Sequence, residues 1–189
     1  MVHIVGIAGS LRQKSFNLGL LRAASELMPE GSTLSVHGIN GIPLYDADEE
    51  AAHGSPQAVS ALKDAVAAAD GVLLATPEYN NGIPGVFKNA IDWMSRPPAD
   101  SSRIFRGRPF GVIGASPGGF GTILSQDAWL PVLRTLGTRP WFEGRMMVSR
   151  AGQLFDEDSN LTDAATREML TKYLAGFTAF VTEEIAARS

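Results

Sequence analysis

Short apolar runs and longer amphipathic stretches alternate five times along this chain, and no other feature restricts its fold as much. Val2–Ala8 is a short apolar run ending in small residues, the pattern of a buried strand. Asn17–Met28 carries a helical stripe of Leu18, Leu21, Ala24 and Leu27 or Met28, stopped by Pro29 and Gly31. Thr33–Ile39 predicts a second strand, Ile42–Ser55 a loop, and Pro56–Ala69 a helix with proline in its first turn. Gly71–Thr76 is a third strand cut by Pro77, followed by a helix over Pro84–Ser95. Arg96–Pro109 is a polar, proline-rich connection, and Phe110–Ser116 is the fourth strand. Leu124–Leu136 is helical, with Pro131 expected to kink it or mark its start. Arg139–Val148 contains the fifth strand, and Thr162–Ala187 a long final helix.

Such alternation builds βαβ units with right-handed crossovers and a parallel sheet covered on both faces. The chain has 189 residues and neither an internal repeat nor a separating linker, so one domain over 1–189 is expected. Its fold class is α/β: a three-layer α/β/α sandwich on a five-stranded parallel sheet of flavodoxin-like order 2-1-3-4-5. In such sheets ligands bind at the carboxyl ends of the strands, at the switch point beside strand 1. Three loops meet there: "GSLRQKSFN", "PEYNNGIPG" and "SPGGFG".

The first loop, Gly9–Asn17, fails two common nucleotide signatures. The dinucleotide pattern G-x-G-x-x-G started at Gly6 meets Ala8 and Arg12 where glycines belong. No acidic residue in Thr33–Asn40 stands ready for a ribose. A P-loop would need glycines at Ala8 and Gln13, although Lys14–Ser15 fits its end. What remains suits a single terminal phosphate. A helix N-terminus offers unpaired N–H groups and the positive end of its dipole. Ser10, Ser15 and Asn17 offer hydrogen bonds, and Arg12 offers a charged fork. At about 1.5–3 kcal/mol for each bond to a charged group, four or five such bonds hold a dianion firmly. The plainer alternative is that Ser and Asn cap the helix while Arg and Lys face water.

In the second loop, Asn80–Asn81–Gly82 permits positive φ, so several backbone groups can present a rigid arc to a flat heteroaromatic ring. Tyr79 either covers a ring face or packs on its own loop. Glu78 either pairs with a cation such as Arg12 or is a solvated acid. Phe87, Ile91 and Met94 form one face of the following helix, with Trp93 beside it, as core or as a subunit interface. In the third loop the glycines allow close backbone approach, and Ser116 ends a strand.

Other chemistries are disfavoured. There are no cysteines, which excludes disulfides, thiol catalysis and iron–sulfur ligation. His3, His37 and His53 have no metal-like spacing, and no G-x-S-x-G elbow occurs. A net charge of -4 argues against nonspecific nucleic-acid binding. The N-terminus lacks a signal-peptide pattern and no run reaches the ~20 apolar residues of a membrane span, so a cytoplasmic protein is expected. A site with few acid–base groups borrows its chemistry from a cofactor.

"GSLRQKSFN" with "PEYNNGIPGVFKNAIDWMSR" resembles the NADPH-dependent FMN reductase family, which includes flavin-dependent quinone, chromate and azo-dye reductases. The similarity runs from about Val2 to Ser116. It implies FMN as bound cofactor, NAD(P)H as co-substrate, a small-molecule electron acceptor and a homodimer or homotetramer. Carried over by motif, Ser10, Arg12, Ser15, Phe16 and Asn17 surround the FMN phosphate. Pro77, Glu78, Tyr79 and Asn80 border the isoalloxazine ring, with Ser116, Gly118 and Gly119 on its other side. "FGTILSQDAW" departs from the chromate-reductase-like members, which carry Arg and Tyr in a segment associated with tetramer contacts. The main alternative is a flavodoxin-like electron carrier without NAD(P)H oxidase activity. Its loops are usually Ser/Thr-rich and its charge strongly acidic.

Overall fold

Strands β1 (Val2–Ala8), β2 (Ser32–His37), β3 (Gly71–Ala75) and β4 (Pro109–Ala115) pair in parallel in the order β2-β1-β3-β4. The computed structural model describes residues 1–188; Ser189, the last residue of the expected domain, lies outside the described residues. The fifth position beside β4 is filled by two short pieces, β5 (Arg139–Pro140) and β6 (Met147–Val148), both parallel to it. The order 2-1-3-4-5 is therefore the one read from the sequence, with the last strand interrupted. The interruption has a visible cause. Trp141 N–H still donates to the Phe110 carbonyl of β4 at 2.8 Å; the chain leaves the sheet just after it, where the Trp141 ring packs edge-on against Tyr173 at 4.9 Å and close to Gly144 and Gly176. The chain returns to β4 at Met146, whose carbonyl accepts from Gly114 N–H at 3.0 Å.

Helices α1 (Phe16–Glu26) and α7 (Ala164–Ala186) cover one face of the sheet; α3 (Gln57–Ala67), α4 (Gly85–Met94) and α6 (Ile123–Thr135) cover the other. The strands divide their side chains between these layers with period two. Ile4 and Ala8 point to one core with Leu20, Leu174 and Phe177; Val5 and Ile7 point to the other with Phe87, Ile91 and Trp129. Two short helices, α2 (Ala47–His53) and α5 (Pro98–Ile104), occupy stretches that the sequence presents as loop. Asp46 caps α2 by accepting from Asp48 N–H at 2.8 Å. Lys63 ties α3 to α5: its buried Nζ donates to Asp100 at 3.2 Å, to Ser55 at 3.1 Å and to the Arg96 carbonyl. Pro131 lies inside α6 and does not end it.

Two glycines set how closely the layers meet at the carboxyl edge. A Cβ on Gly9 would stand 2.0 Å from the ring of Phe87. One on Gly114 would stand 2.0 Å from Thr122 Oγ1 and 2.4 Å from the Thr76 carbonyl. Gly9 N–H donates to the Ala75 carbonyl at 2.9 Å, so the first loop leaves the sheet still bonded to β3.

Gly9→Ala, measured by urea unfolding, lowers stability by about 1–3 kcal/mol through overpacking against Phe87. Combined with Phe87→Leu it costs less than the two single changes added, because the smaller side chain admits the methyl; strict additivity would contradict the contact. At α7, the Thr166 hydroxyl and N–H donate to Asp163 and hold its carboxyl below its ordinary 3.8. That contribution is complete above 3.8 and is lost as pH falls through the lower folded value. Asp163→Asn therefore flattens the fall of melting temperature in acid, and an unchanged acid limb would refute the role.

Candidate functional site

The carboxyl ends of β1, β3 and β4 are neighbours in the sheet, and a cleft of about 310 Å³ opens over them. Ser10, Arg12, Ser15, Phe16, Asn17, Pro77, Glu78, Tyr79 and Ser116 all line it, together with Ala115 and Pro117. Residues from three separate loops thus meet in one cavity. Asn80, Gly118 and Gly119 do not line it. Asn80 and Asn81, with φ of 50° and 63°, form a two-residue turn closed by paired Tyr79 and Gly82 backbone bonds at 3.2 and 3.1 Å. That geometry is a type I′ turn, which asparagine tolerates in its left-handed positions. The turn projects Tyr79 to the mouth of the cleft, 51% exposed. Gly118 is exposed and accepts from Arg150 N–H at 2.9 Å, which pins the third loop from behind.

The first loop forms one end of the cleft. Ser10 and Ser15 are buried, and both hydroxyls accept backbone N–H groups: Ser10 from Arg12 at 3.2 Å, Ser15 from Leu18 at 3.4 Å. A serine oxygen that accepts keeps its own proton for donation. Ser15 is also the N-cap of α1, whose first turn carries no acidic residue. The N–H groups of Phe16 and Asn17 open that helix and lie where an intrahelical partner is lacking. This end of the cleft therefore converges hydroxyl donors, helix N–H groups and a positive dipole on one volume, the donor set for an anion.

Arg12 lines the same volume, with its guanidinium 5.3 Å from the centre of the Phe16 ring. Phe16 in turn packs on Phe155 at 5.2 Å. Lys14 turns away into a neighbouring hollow of about 360 Å³ and pairs with Asp158 at 3.3 Å, both side chains being exposed. Asn17 has a role that its residue type did not announce. Its Nδ2 donates to the Ala115 carbonyl at 2.9 Å, and its Oδ1 accepts from Ala115 N–H at 2.9 Å. The amide completes the end of β4 as a neighbouring strand would, and one Nδ2 hydrogen remains for a ligand.

The other end is built by the segment after β3 and by the third loop, with α6 braced behind Glu78. Among the described residues no ion pair joins Glu78 to Arg12; the half-buried carboxylate instead accepts through Oε2 from Leu124 N–H at 2.9 Å and Ser125 N–H at 3.0 Å, at the start of α6. Behind it, buried Thr76 Oγ1 donates to the Pro77 carbonyl at 2.9 Å and meets Ser125 Oγ at 2.8 Å and Trp129 Nε1 at 3.0 Å. Ser116 Oγ donates to the Gly121 carbonyl, closing the third loop on itself. Thr76, Ser125 and Trp129 were not singled out by sequence reasoning. Only a hydroxyl at the end of a buried strand marked Thr76.

The sequence profile described as NADPH-dependent FMN reductase matches residues 2–153. An NAD(P)H-dependent FMN reductase of Pseudomonas aeruginosa is 41% identical over 173 residues, covering 92% of this chain and 91% of that protein. A 2-hydroxy-1,4-benzoquinone reductase of Burkholderia sp. is 34% identical over 180 residues, covering 95% and 96%. Among solved structures, FerB, the flavoenzyme NAD(P)H:(acceptor) oxidoreductase of Paracoccus denitrificans, superposes with a TM-score of 0.85 at 30% identity over 97% of this chain and 99% of that one. With its profile match running from the first strand past the third cleft loop, and with relatives aligned almost end to end, this chain belongs to the NADPH-dependent FMN reductase family.

Proposed function

We propose that this chain is an FMN-dependent oxidoreductase that takes reducing equivalents from NAD(P)H and delivers them to a quinone or a similar acceptor such as chromate, an azo compound or free flavin. One observation carries the reading. Two buried serine hydroxyls with protons to donate, and the open N–H groups of α1, converge beside Arg12 at the switch point of the sheet. That donor set fits one terminal phosphate, and the cleft beyond it has room along Pro77–Tyr79 and Ser116–Pro117.

In this reading Ser10, Arg12, Ser15, Phe16 and Asn17 hold the phosphate. Pro77, Glu78 and Tyr79, with Asn80 behind them in the turn, border the ring, and Ser116 and the Gly118–Gly119 segment lie on its other side. Bound FMN supplies the centre that accepts hydride from NAD(P)H and yields it to the second substrate, one after the other at the same place. The protein's share is position. Reacting atoms must come within about 3–3.5 Å of each other, so the walls that seat the cofactor and leave one face open govern the rate. Pro77 has no N–H and Tyr79 N–H is spent on the Gly82 carbonyl, so within the 77–80 segment the N–H groups of Glu78 and Asn80 are the ones left to favour negative charge on the ring. No protein acid or base is assigned.

The chain is read as one domain working as a homodimer or homotetramer in the cytoplasm, with no nucleic-acid or membrane partner. Among the described residues no helix is long and apolar enough to cross a membrane. Support for self-association comes from exposed Phe120, Ile123, Leu124, Leu130 and Phe142, large apolar side chains gathered on and beside α6.

Two measurements test the reading. Arg12→Ala removes a charge-assisted bond worth about 1.5–3 kcal/mol, so FMN affinity falls roughly ten- to hundredfold in a fluorescence titration. Full flavin occupancy of the variant at low FMN concentration would sink the assignment of Arg12. The FMN-loaded protein mixed with NADH or NADPH and a quinone oxidises the nicotinamide over many turnovers. A protein that binds FMN but turns over neither nucleotide is a carrier, and the enzymatic reading fails.

A further inference from the structure

Glu78 is joined to α6 in a way that a solvated acid is not. The helix's own N-cap residue, Thr122, makes no side-chain cap; its Oγ1 instead accepts from Gln126 Nε2 at 3.0 Å. The cap comes from Glu78, 46 positions earlier in the chain, through the two N–H groups of Leu124 and Ser125. A carboxylate at a helix N-terminus opposes a partial charge of roughly +0.5. Ser125 is gripped a second time. Thr76 Oγ1 has one proton, and with that proton on the Pro77 carbonyl, Ser125 Oγ and Trp129 Nε1 are the donors to it. Thr76 and Glu78 flank Pro77, so this buried cleft-lining residue is held from both sides by the same buried serine of α6.

We propose that Glu78 is a positioning residue that fixes the Pro77–Tyr79 wall against α6 and sets the charge balance of the cleft against FMN. The inference rests on the FMN reading above. On full reduction at neutral pH, FMN takes up two electrons and one proton and so gains one negative charge. The carboxylate of Glu78 opposes that charge and the N-terminus of α6 favours it; joined, they offset one another. Replacing Glu78 by glutamine keeps an acceptor oxygen for the two N–H groups but removes the negative charge. The helix end is then left uncompensated beside the cleft, and reduction becomes easier.

The test compares the parent protein with Glu78→Gln and Glu78→Ala, each loaded with FMN. FMN affinity is read by fluorescence, and the midpoint potential of bound FMN by reductive titration against a reference dye. Glu78→Gln retains FMN and raises the midpoint potential. Glu78→Ala weakens FMN binding roughly tenfold, the scale of one lost helix cap. A purely structural role would alter affinity and leave the potential of Glu78→Gln at the parent value; that result, or a lowered potential, overturns the inference. So does a Glu78→Ala variant that binds FMN as the parent does. A parent protein that takes up no FMN overturns the functional reading itself, and this inference with it.

Discussion

The site depends on a pair of hydrogen bonds between one side chain and one backbone unit. Asn17, on the first turn of α1, exchanges two 2.9 Å bonds with Ala115 at the end of β4. Both partners are buried, so leaving either peptide group unpaired costs about 1–3 kcal/mol. The bonds fix the first loop across β3, over the sheet position where β1 and β4 do not touch. The other loops are fastened in the same manner. Glu78 reaches α6, Thr76 reaches Ser125, and Arg150 reaches Gly118. The cleft is a surface made of loops, yet every loop is pinned to an element of the sheet or its helices. Such cross-bracing suits a site whose work is to hold a ligand in one pose.

How far this was legible in the sequence follows from where the information lies. Strand β1 was readable to its ends because a parallel strand covered on both faces is a near-continuous apolar run; Ile4–Ala8 are buried and Val2 and His3 half-buried. The three cleft loops were readable because strand order alone brings them together, and nine of the residues named from them do line one cavity. Helix α2 was missed because it buries no residue, so no apolar stripe reveals it; the signals present were its Asp46 cap, the acidic first turn of Asp48, Glu49 and Glu50, and Gly54 at its end. Helix α5 buries only Ile104 and hides in a proline-rich stretch for the same reason. The broken fifth strand depends on where Trp141 finds room beside two glycines, one of them far along in α7.

Residue type misleads most where a side chain serves a distant backbone. Asn17 reads as a helix cap or a ligand donor, yet one of its donors and one of its acceptor sites complete a strand 98 positions away. Glu78 reads as an ion-pair partner or a solvated acid and is a helix cap. Lys14, central to a P-loop reading, lines a neighbouring hollow and pairs with Asp158. The missing glycines at Ala8 and Gln13 were the better guide. Without them the backbone cannot wrap linked phosphates, and the structure instead gathers serine hydroxyls and one helix end around a single point.

The central claim is that this point receives a lone phosphate ester carried by a flavin. The most direct test is a titration of the ligand-free protein with FMN, riboflavin and FAD, following flavin fluorescence. The account predicts tight binding of FMN and binding of riboflavin weaker by roughly a hundredfold or more, since several charge-assisted bonds are lost with the phosphate. FAD, whose phosphate is not terminal, also binds more weakly than FMN. Equal affinity for FMN and riboflavin, or preference for FAD, would contradict it.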